Sequence, residues 1–255
     1  MVDRMAHGGA EDGETRGIGR HSPQGTGCPA ECPTSGTLAA MTVTLHVVDH
    51  PLAADALSRL RSVDAPTSTF RAELERLGLV LLTEATRTLR TLRVTVQTPL
   101  ATTAGRRLEM PPVLVPVLRA GVGFLGAATA LVPDAEVGFV GVSRNELTHR
   151  PEQYVNKLPD TLIGRTCIVL DPMLATGGSL AHTCRLLVER GADTPIVVVC
   201  ALAAPEGLRQ LETELDGAAH DVVVFTASLD DRLNEAAFIV PGLGDAGDRL
   251  FGRPG

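Results

Sequence analysis

The feature that most constrains the fold is a series of short, nearly uninterrupted apolar runs rich in β-branched residues. They are Val113–Leu118, Val137–Val142, Cys167–Leu170, Ile196–Leu202 and Val222–Thr226. A strand with one wet face alternates apolar and polar residues, whereas a strand covered on both faces does not need to. Stretches with helical spacing lie between several of the runs: Gly123–Leu131, Ser179–Arg190 and Glu206–Leu215. Strand and helix in alternation predict an α/β fold with a central, mainly parallel sheet flanked by helices. Upstream, Pro51–Arg61 and Phe70–Leu89 are helix candidates, the second placing Leu74, Leu77, Leu81 and Leu82 on one face. Leu92–Gln97 alternates and predicts a further strand.

Residues 1–40 follow another rule. They hold 8 of the 26 glycines and only 12 hydrophobic residues, too few to offset the entropy of ordering. The chain therefore divides into a disordered N-terminal extension, 1–40, and one globular domain, 41–255. Met41 opens the first patterned segment and is a candidate translation start. Cys28 and Cys32 bracket Pro-Ala-Glu, but a structural zinc site wants four ligands and only His21 stands near. The other cysteines, Cys167, Cys184 and Cys200, sit in or beside apolar segments and predict buried thiols in a reducing cytoplasm. Net charge is −7, from 23 basic and 30 acidic side chains, which argues against a nucleic-acid partner. No apolar run is long enough to span a membrane, and none near the N-terminus forms a secretory signal.

Three segments carry chemistry. In Asp171-Pro-Met-Leu-Ala-Thr-Gly-Gly-Ser179 an apolar strand ends in an acid, and small residues then lead into a helix. The helix start offers N–H groups and a positive dipole end, Gly177 and Gly178 permit close approach, and Thr176 and Ser179 add hydroxyls. This predicts a phosphate cradle, with Asp171 placed to accept from sugar hydroxyls. No lysine follows the glycines and Gly-x-Gly-x-x-Gly is absent, so the segment is neither a P-loop nor a dinucleotide fingerprint. A bare Gly-Gly pair would suit an ordinary capped turn; the flanking Asp and hydroxyls favour phosphate. In the second segment, Pro116–Gly123, Arg119 stands at a helix start, where a cation opposes the dipole unless an anion joins it. In the third, Ile239–Arg249, glycines at 242, 244 and 247 exclude a helix interior and expose backbone groups suited to a backbone-lined pocket.

Together these segments resemble the uracil phosphoribosyltransferase family. The Asp171–Ser179 run matches that family's phosphoribosyl loop without a break, and Pro116–Gly123 and Ile239–Asp248 are similar to its pyrophosphate turn and uracil signature. The resemblance extends from about His46 to Phe251. It implies a type I phosphoribosyltransferase fold with a small C-terminal hood and a flexible lid. It also implies transfer of a phosphoribosyl group to uracil, giving UMP and pyrophosphate in pyrimidine salvage, with Mg²⁺ as cofactor. By resemblance, Asp171, Arg119 and Arg144 are catalytic. The substrate phosphoribosyl pyrophosphate contacts Arg119, Arg144, Asp171, Pro172, Met173, Leu174, Ala175, Thr176, Gly177, Gly178, Ser179 and Asp245. Uracil contacts Ile239, Gly244, Asp245 and Ala246.

No side chain is assigned as a dedicated metal ligand: Mg²⁺ takes its shell largely from substrate oxygens, and His46, His50, His149 and His182 lack ligand spacing. The resemblance further implies a homodimer or higher homo-oligomer, and some relatives respond to GTP as an effector. Ser143 and Phe238 depart from the aromatic and the tyrosine common at those places. The polar stretch Arg144–Lys157 holds the only tyrosine, Tyr154, and the only lysine, Lys157, and is the expected lid. Two other readings stay open: a transferase for a purine or orotate, which the glycine-rich C-terminal loop disfavours, and an RNA-binding regulator, which needs a local basic patch.

Overall fold

The computed structural model describes residues 43–144, 151–215 and 221–252, all within one compact unit. The expected extension, residues 1–40, lies outside the described residues.

In chain order the elements begin with β1 (Val43–Val47), α1 (Pro51–Arg61) and α2 (Thr67–Ala85), followed by β2 (Thr91–Gln97) and β3 (Thr102–Leu108). Next come β4 (Val113–Leu118), a 3₁₀ turn (Ala120–Phe124), α3 (Leu125–Leu131), β5 (Glu136–Val137), β6 (Phe139–Arg144) and β7 (Pro151–Lys157). The rest are β8 (Cys167–Leu170), β9 (Met173–Leu174), α4 (Gly178–Glu189), β10 (Ile196–Ala203) and α5 (Pro205–Leu215). The chain closes with β11 (Val222–Leu229), β12 (Arg232–Leu233), β13 (Ile239–Val240) and α6 (Ala246–Phe251).

The central sheet runs β1-β11-β10-β8-β4-β6-β7, parallel throughout except for β7, which is antiparallel to β6. β8 and β10 are buried along their whole length, which is why their sequences are continuously apolar. Their side chains still alternate between faces. Ile168, Leu170, Val197 and Val199 pack toward α1, α2 and α3; Cys167, Val169, Val198 and Cys200 pack toward α4 and α5. On α2 the buried stripe is Phe70, Leu74, Leu77, Leu81 and Leu82, each aliphatic residue contributing about 1.5–3 kcal/mol by its burial. Helix α2 stops at Ala85, short of the expected Leu89, where Thr86 leaves helical geometry and caps Leu82 O with its own N–H.

The structure adds detail to two expected segments. The alternating run at 91–97 does form a strand, but outside the central sheet: β2 and β3 make a separate hairpin whose residues are mostly exposed. The stretch expected to be a lid is, over residues 151–157, the edge strand β7, paired with β6 from Phe139↔Lys157 to Arg144↔Pro151. Cross-strand hydrogen bonding explains a polar strand here, because an edge strand with one wet face needs no apolar run. Residues 145–150 of that stretch lie outside the described residues. A parallel sheet puts every strand's carboxyl end on one edge, and Leu118, Leu170 and Ala203 all run out there.

Candidate active site

The cradle segment is built as its residues require. Strand β8 ends at Leu170, and Asp171 follows at the sheet's carboxyl edge, its N–H held by Val199 O at 3.1 Å. The carbonyl of Pro172 accepts from the N–H groups of Ala201 and Leu202, tying the turn to β10. Gly177 then adopts φ +80° as the N-cap of α4, and no side chain caps this end. A Cβ on Gly177 would lie 2.4 Å from Gly207 O, so glycine is required twice, by conformation and by contact. Asp171, Met173, Leu174, Ala175, Thr176, Gly177, Ser179 and Leu180 line a cleft of about 130 Å³ at the start of this helix. Pro172 and Gly178 are not among its walls: Pro172 is buried beneath it, and its part is to anchor the turn.

Asp171 is partly accessible where it lines the cleft, and protein crowds round it. Desolvation pushes its pKa up to about 7, opposed only weakly by the N–H of Met173 at 3.4 Å. A carboxyl so poised gains its charge readily once hydroxyls or a cation arrive.

The second turn sits beside the first because Gly121 lacks a side chain. A Cβ there would fall 2.2 Å from Leu170 O, the last carbonyl before Asp171. Arg119, at the head of this turn, is half exposed, and its guanidinium lies 3.6 Å from an Asp248 carboxylate oxygen. The helix candidate expected from Gly123 begins here as the 3₁₀ turn and becomes α3 only at Leu125.

The C-terminal segment closes over both. β12 and β13 form a short hairpin, and Asp245 caps α6 by accepting the Asp248 N–H at 2.7 Å. A second cavity, about 220 Å³, is lined by Met173, Ala175, Thr176, Ala236, Ala237, Phe238, Ile239, Gly244, Asp245 and Ala246. All four residues expected to hold a base are therefore in one wall. Met173, Ala175 and Thr176 line both cavities, which makes them neighbours. Ala236 and Ala237 were not legible beforehand, being small residues in a turn with no chemical signature.

Arg144 is the last residue of β6; its side chain lies outside the described residues, as do Asn145, Glu146 and His149. Among the described residues no group of three or more His, Cys, Asp or Glu gathers as metal ligands. No helix among them is long and apolar enough to cross a membrane. Cys167, Cys184 and Cys200 are buried free thiols, and burial pushes each up to about 12.

A parallel α/β sheet whose carboxyl edge joins an acid-headed glycine turn, an arginine turn and a glycine-rich C-terminal loop is the arrangement expected of a phosphoribosyltransferase. The comparisons with known proteins agree. The family model described as uracil phosphoribosyltransferase matches residues 47–253, and the chain belongs to that family. It is 52% identical over 208 residues to a uracil phosphoribosyltransferase of Nocardioides sp., covering 81% of this chain and 97% of the relative. It is 51% identical over 209 residues to that of Streptomyces coelicolor, covering 82% and 98%. Among solved structures, the AQ2163 protein of Aquifex aeolicus matches with a TM-score of 0.76 and 37% identity, over 82% of this chain and 98% of that one.

Proposed function

We propose that the protein transfers the phosphoribosyl group of phosphoribosyl pyrophosphate to uracil, releasing pyrophosphate and forming UMP in pyrimidine salvage. One observation carries this reading: the phosphate cleft and the hood cavity share Met173, Ala175 and Thr176 as a common wall. A 5′-phosphate seated on the α4 N-terminus would leave its ribose over Asp171 and the anomeric carbon facing the hood. Uracil in the hood would meet main-chain groups of Ile239, Gly244 and Ala246, with Asp245 between base and sugar. Fixed backbone donors and acceptors discriminate among bases, because a mismatched base leaves buried groups unpaired at roughly 1–3 kcal/mol each.

Bond breaking at the anomeric carbon builds negative charge on the departing pyrophosphate. Arg119 reaches this edge and supplies fixed positive charge; Arg144, at the end of β6, is assigned the same part. Asp171 gains its charge as the ribose hydroxyls bind and favours the cationic sugar. Asp171 and Asp245 are oxygen donors on the two walls, a donor set suited to Mg²⁺, which prefers oxygen and keeps much of its water. When bound with the substrate, Mg²⁺ supplies further neutralisation of the pyrophosphate oxygens. The buried, unpaired thiols favour a cytoplasmic setting. A homo-oligomer and a GTP effector belong to this reading as expectations from the family.

The deciding experiment offers uracil, cytosine, hypoxanthine, guanine and orotate side by side with phosphoribosyl pyrophosphate and Mg²⁺. UMP formation with uracil alone, lost in Asp171→Asn, supports the reading. Comparable turnover of another base overturns it.

A further inference from the structure

The base-binding loop is fastened by a polar cluster that lines neither of the two cavities described above, although Arg61 and Gly242 share an adjoining cavity of about 440 Å³ with Gly244 and Asp245. Asp230, at the end of β11, has a side chain only 1% exposed and is paired with Arg61, the last residue of α1. The pairing is forked: Arg61 Nη2 donates to Asp230 Oδ1 at 2.6 Å and Nη1 to Oδ2 at 2.8 Å. The same two side chains hold both backbone groups of Gly242. Asp230 Oδ2 accepts its N–H at 2.9 Å, and Arg61 Nη1 donates to its carbonyl at 2.9 Å. Ser228 completes the cluster by donating to Asp230 Oδ1 at 2.7 Å. Burial opposes ionisation of Asp230, but the bonds from Arg61, Ser228 and Gly242 outweigh it and keep the carboxyl below its ordinary range.

Gly242 is where this cluster meets the base wall. It stands at φ +62°, and a Cβ there would fall 2.0 Å from Ile239 O, so the turn is folded directly onto Ile239. Ile239 and Gly244, on either side of that turn, both line the hood cavity. Any rotation of Gly242 therefore moves the main-chain groups that face the base. One residue further on, Leu243 O accepts from Arg249 Nη1 at 2.9 Å, and that guanidinium also holds Leu60 O and Ser62 O at the end of α1. The loop is thus pinned to the α1 terminus at two successive residues.

We propose that Arg61 and Asp230 are positioning residues for base recognition, setting the 239–244 main chain through Gly242 and so governing affinity for uracil and its discrimination from cytosine. The inference rests on the reading of the hood cavity as the uracil site. A fork–fork ion pair that also satisfies a peptide's donor and acceptor has a geometry a lysine cannot copy.

The test measures KM for each substrate, kcat, melting temperature and the uracil-to-cytosine rate ratio in wild type, Arg61→Lys, Arg61→Gln and Asp230→Asn. KM for uracil is expected to rise about tenfold or more in Arg61→Gln, less in Arg61→Lys, with a reduced uracil-to-cytosine ratio. KM for phosphoribosyl pyrophosphate is expected to move much less, within about twofold, since the cleft for its 5′-phosphate is formed by Asp171, β9, the 175–177 turn and the start of α4, and of its assigned contacts only Asp245 adjoins the pinned loop. A merely structural role would lower melting temperature and the active fraction while leaving KM for uracil alone. Should Asp230→Asn fail to fold, the Arg61 pair decides, because that side chain is partly exposed. Folded Arg61 variants with unchanged KM for uracil, or with both KM values moving together, overturn the proposal. Wild-type protein that does not use uracil overturns the underlying reading instead.

Discussion

Gly177 and Gly207 meet backbone to backbone: a Cβ on Gly177 would lie 2.4 Å from Gly207 O, and one on Gly207 would lie 2.4 Å from Ala175 O. The 171–179 loop is therefore wedged against the first turn of α5, and its shape depends on two residues that are thirty positions apart in the chain.

Gly177→Ala should be damaging on both counts. The left-handed conformation and the backbone clash together cost about 2–4 kcal/mol of stability, and binding of phosphoribosyl pyrophosphate falls with it. Gly178→Ala is the control: nothing lies within 4 Å of its Cβ and its φ is not positive. There melting temperature should hold or rise, by up to about 1 kcal/mol in stability, and any loss of activity reports crowding of the bound phosphate. Thermal melts with and without substrate separate the two cases.

Arg119→Ala should lose activity without losing the fold. A transition-state donor is worth about 2.7–4 kcal/mol, so kcat falls roughly a hundredfold to a thousandfold. The pair with Asp248 is loose, at 3.6 Å and half exposed, and such pairs contribute about 0–1 kcal/mol. Steady-state kinetics beside a melting curve checks both halves; a large drop in melting temperature would count against a catalytic part.

Asp171 makes stability depend on pH in a stated direction. Its native pKa, about 7, stands above the ordinary 3.8, so the native state holds its proton longer than the unfolded chain does. The contribution is full below about pH 4 and is lost as pH rises toward and through about 7. Asp171→Asn cannot ionise, so its melting temperature relative to wild type should climb over that interval. Parallel pH profiles for the two proteins would show that the carboxyl titrates normally. Substrate binding by wild type should release a proton near pH 7, measurable as a buffer-dependent heat.

Magnesium should act with the substrate and hardly without it. Mg²⁺ alone is expected to leave the melting temperature unchanged, while Mg²⁺ with phosphoribosyl pyrophosphate raises stability by about 2.7 kcal/mol at a hundredfold excess over Kd. A shift produced by the ion alone would reveal a resident protein site.

The layers were legible because burial on both faces leaves its mark on sequence: Val113–Leu118 and Cys167–Leu170 coincide with β4 and β8, and Leu74, Leu77, Leu81 and Leu82 with the buried face of α2. Segments without that mark were not. β7 is polar because it is an edge strand, and β2 with β3 is a hairpin whose faces are largely wet, so neither carries the pattern of a central strand. β1 passed unnoticed for a related reason: it borders the sheet beyond β11 and is only partly covered.

The same division runs through the site. Asp171, Thr176, Gly177 and Ser179 declare a cradle from residue type and order alone, since the geometry they need is local to one strand, one turn and one helix start. Which glycine meets which carbonyl is not local. Gly121 against Leu170, Gly177 against Gly207, and Arg61 with Asp230 about Gly242 are contacts between distant parts of the chain. By itself the sequence determined the chemistry of each loop, because backbone freedom, hydroxyls and charge are properties of neighbouring residues. Only the tertiary structure decided how the loops meet, because the parallel sheet carries their separate strand ends to one edge and packing then sets the distance between them.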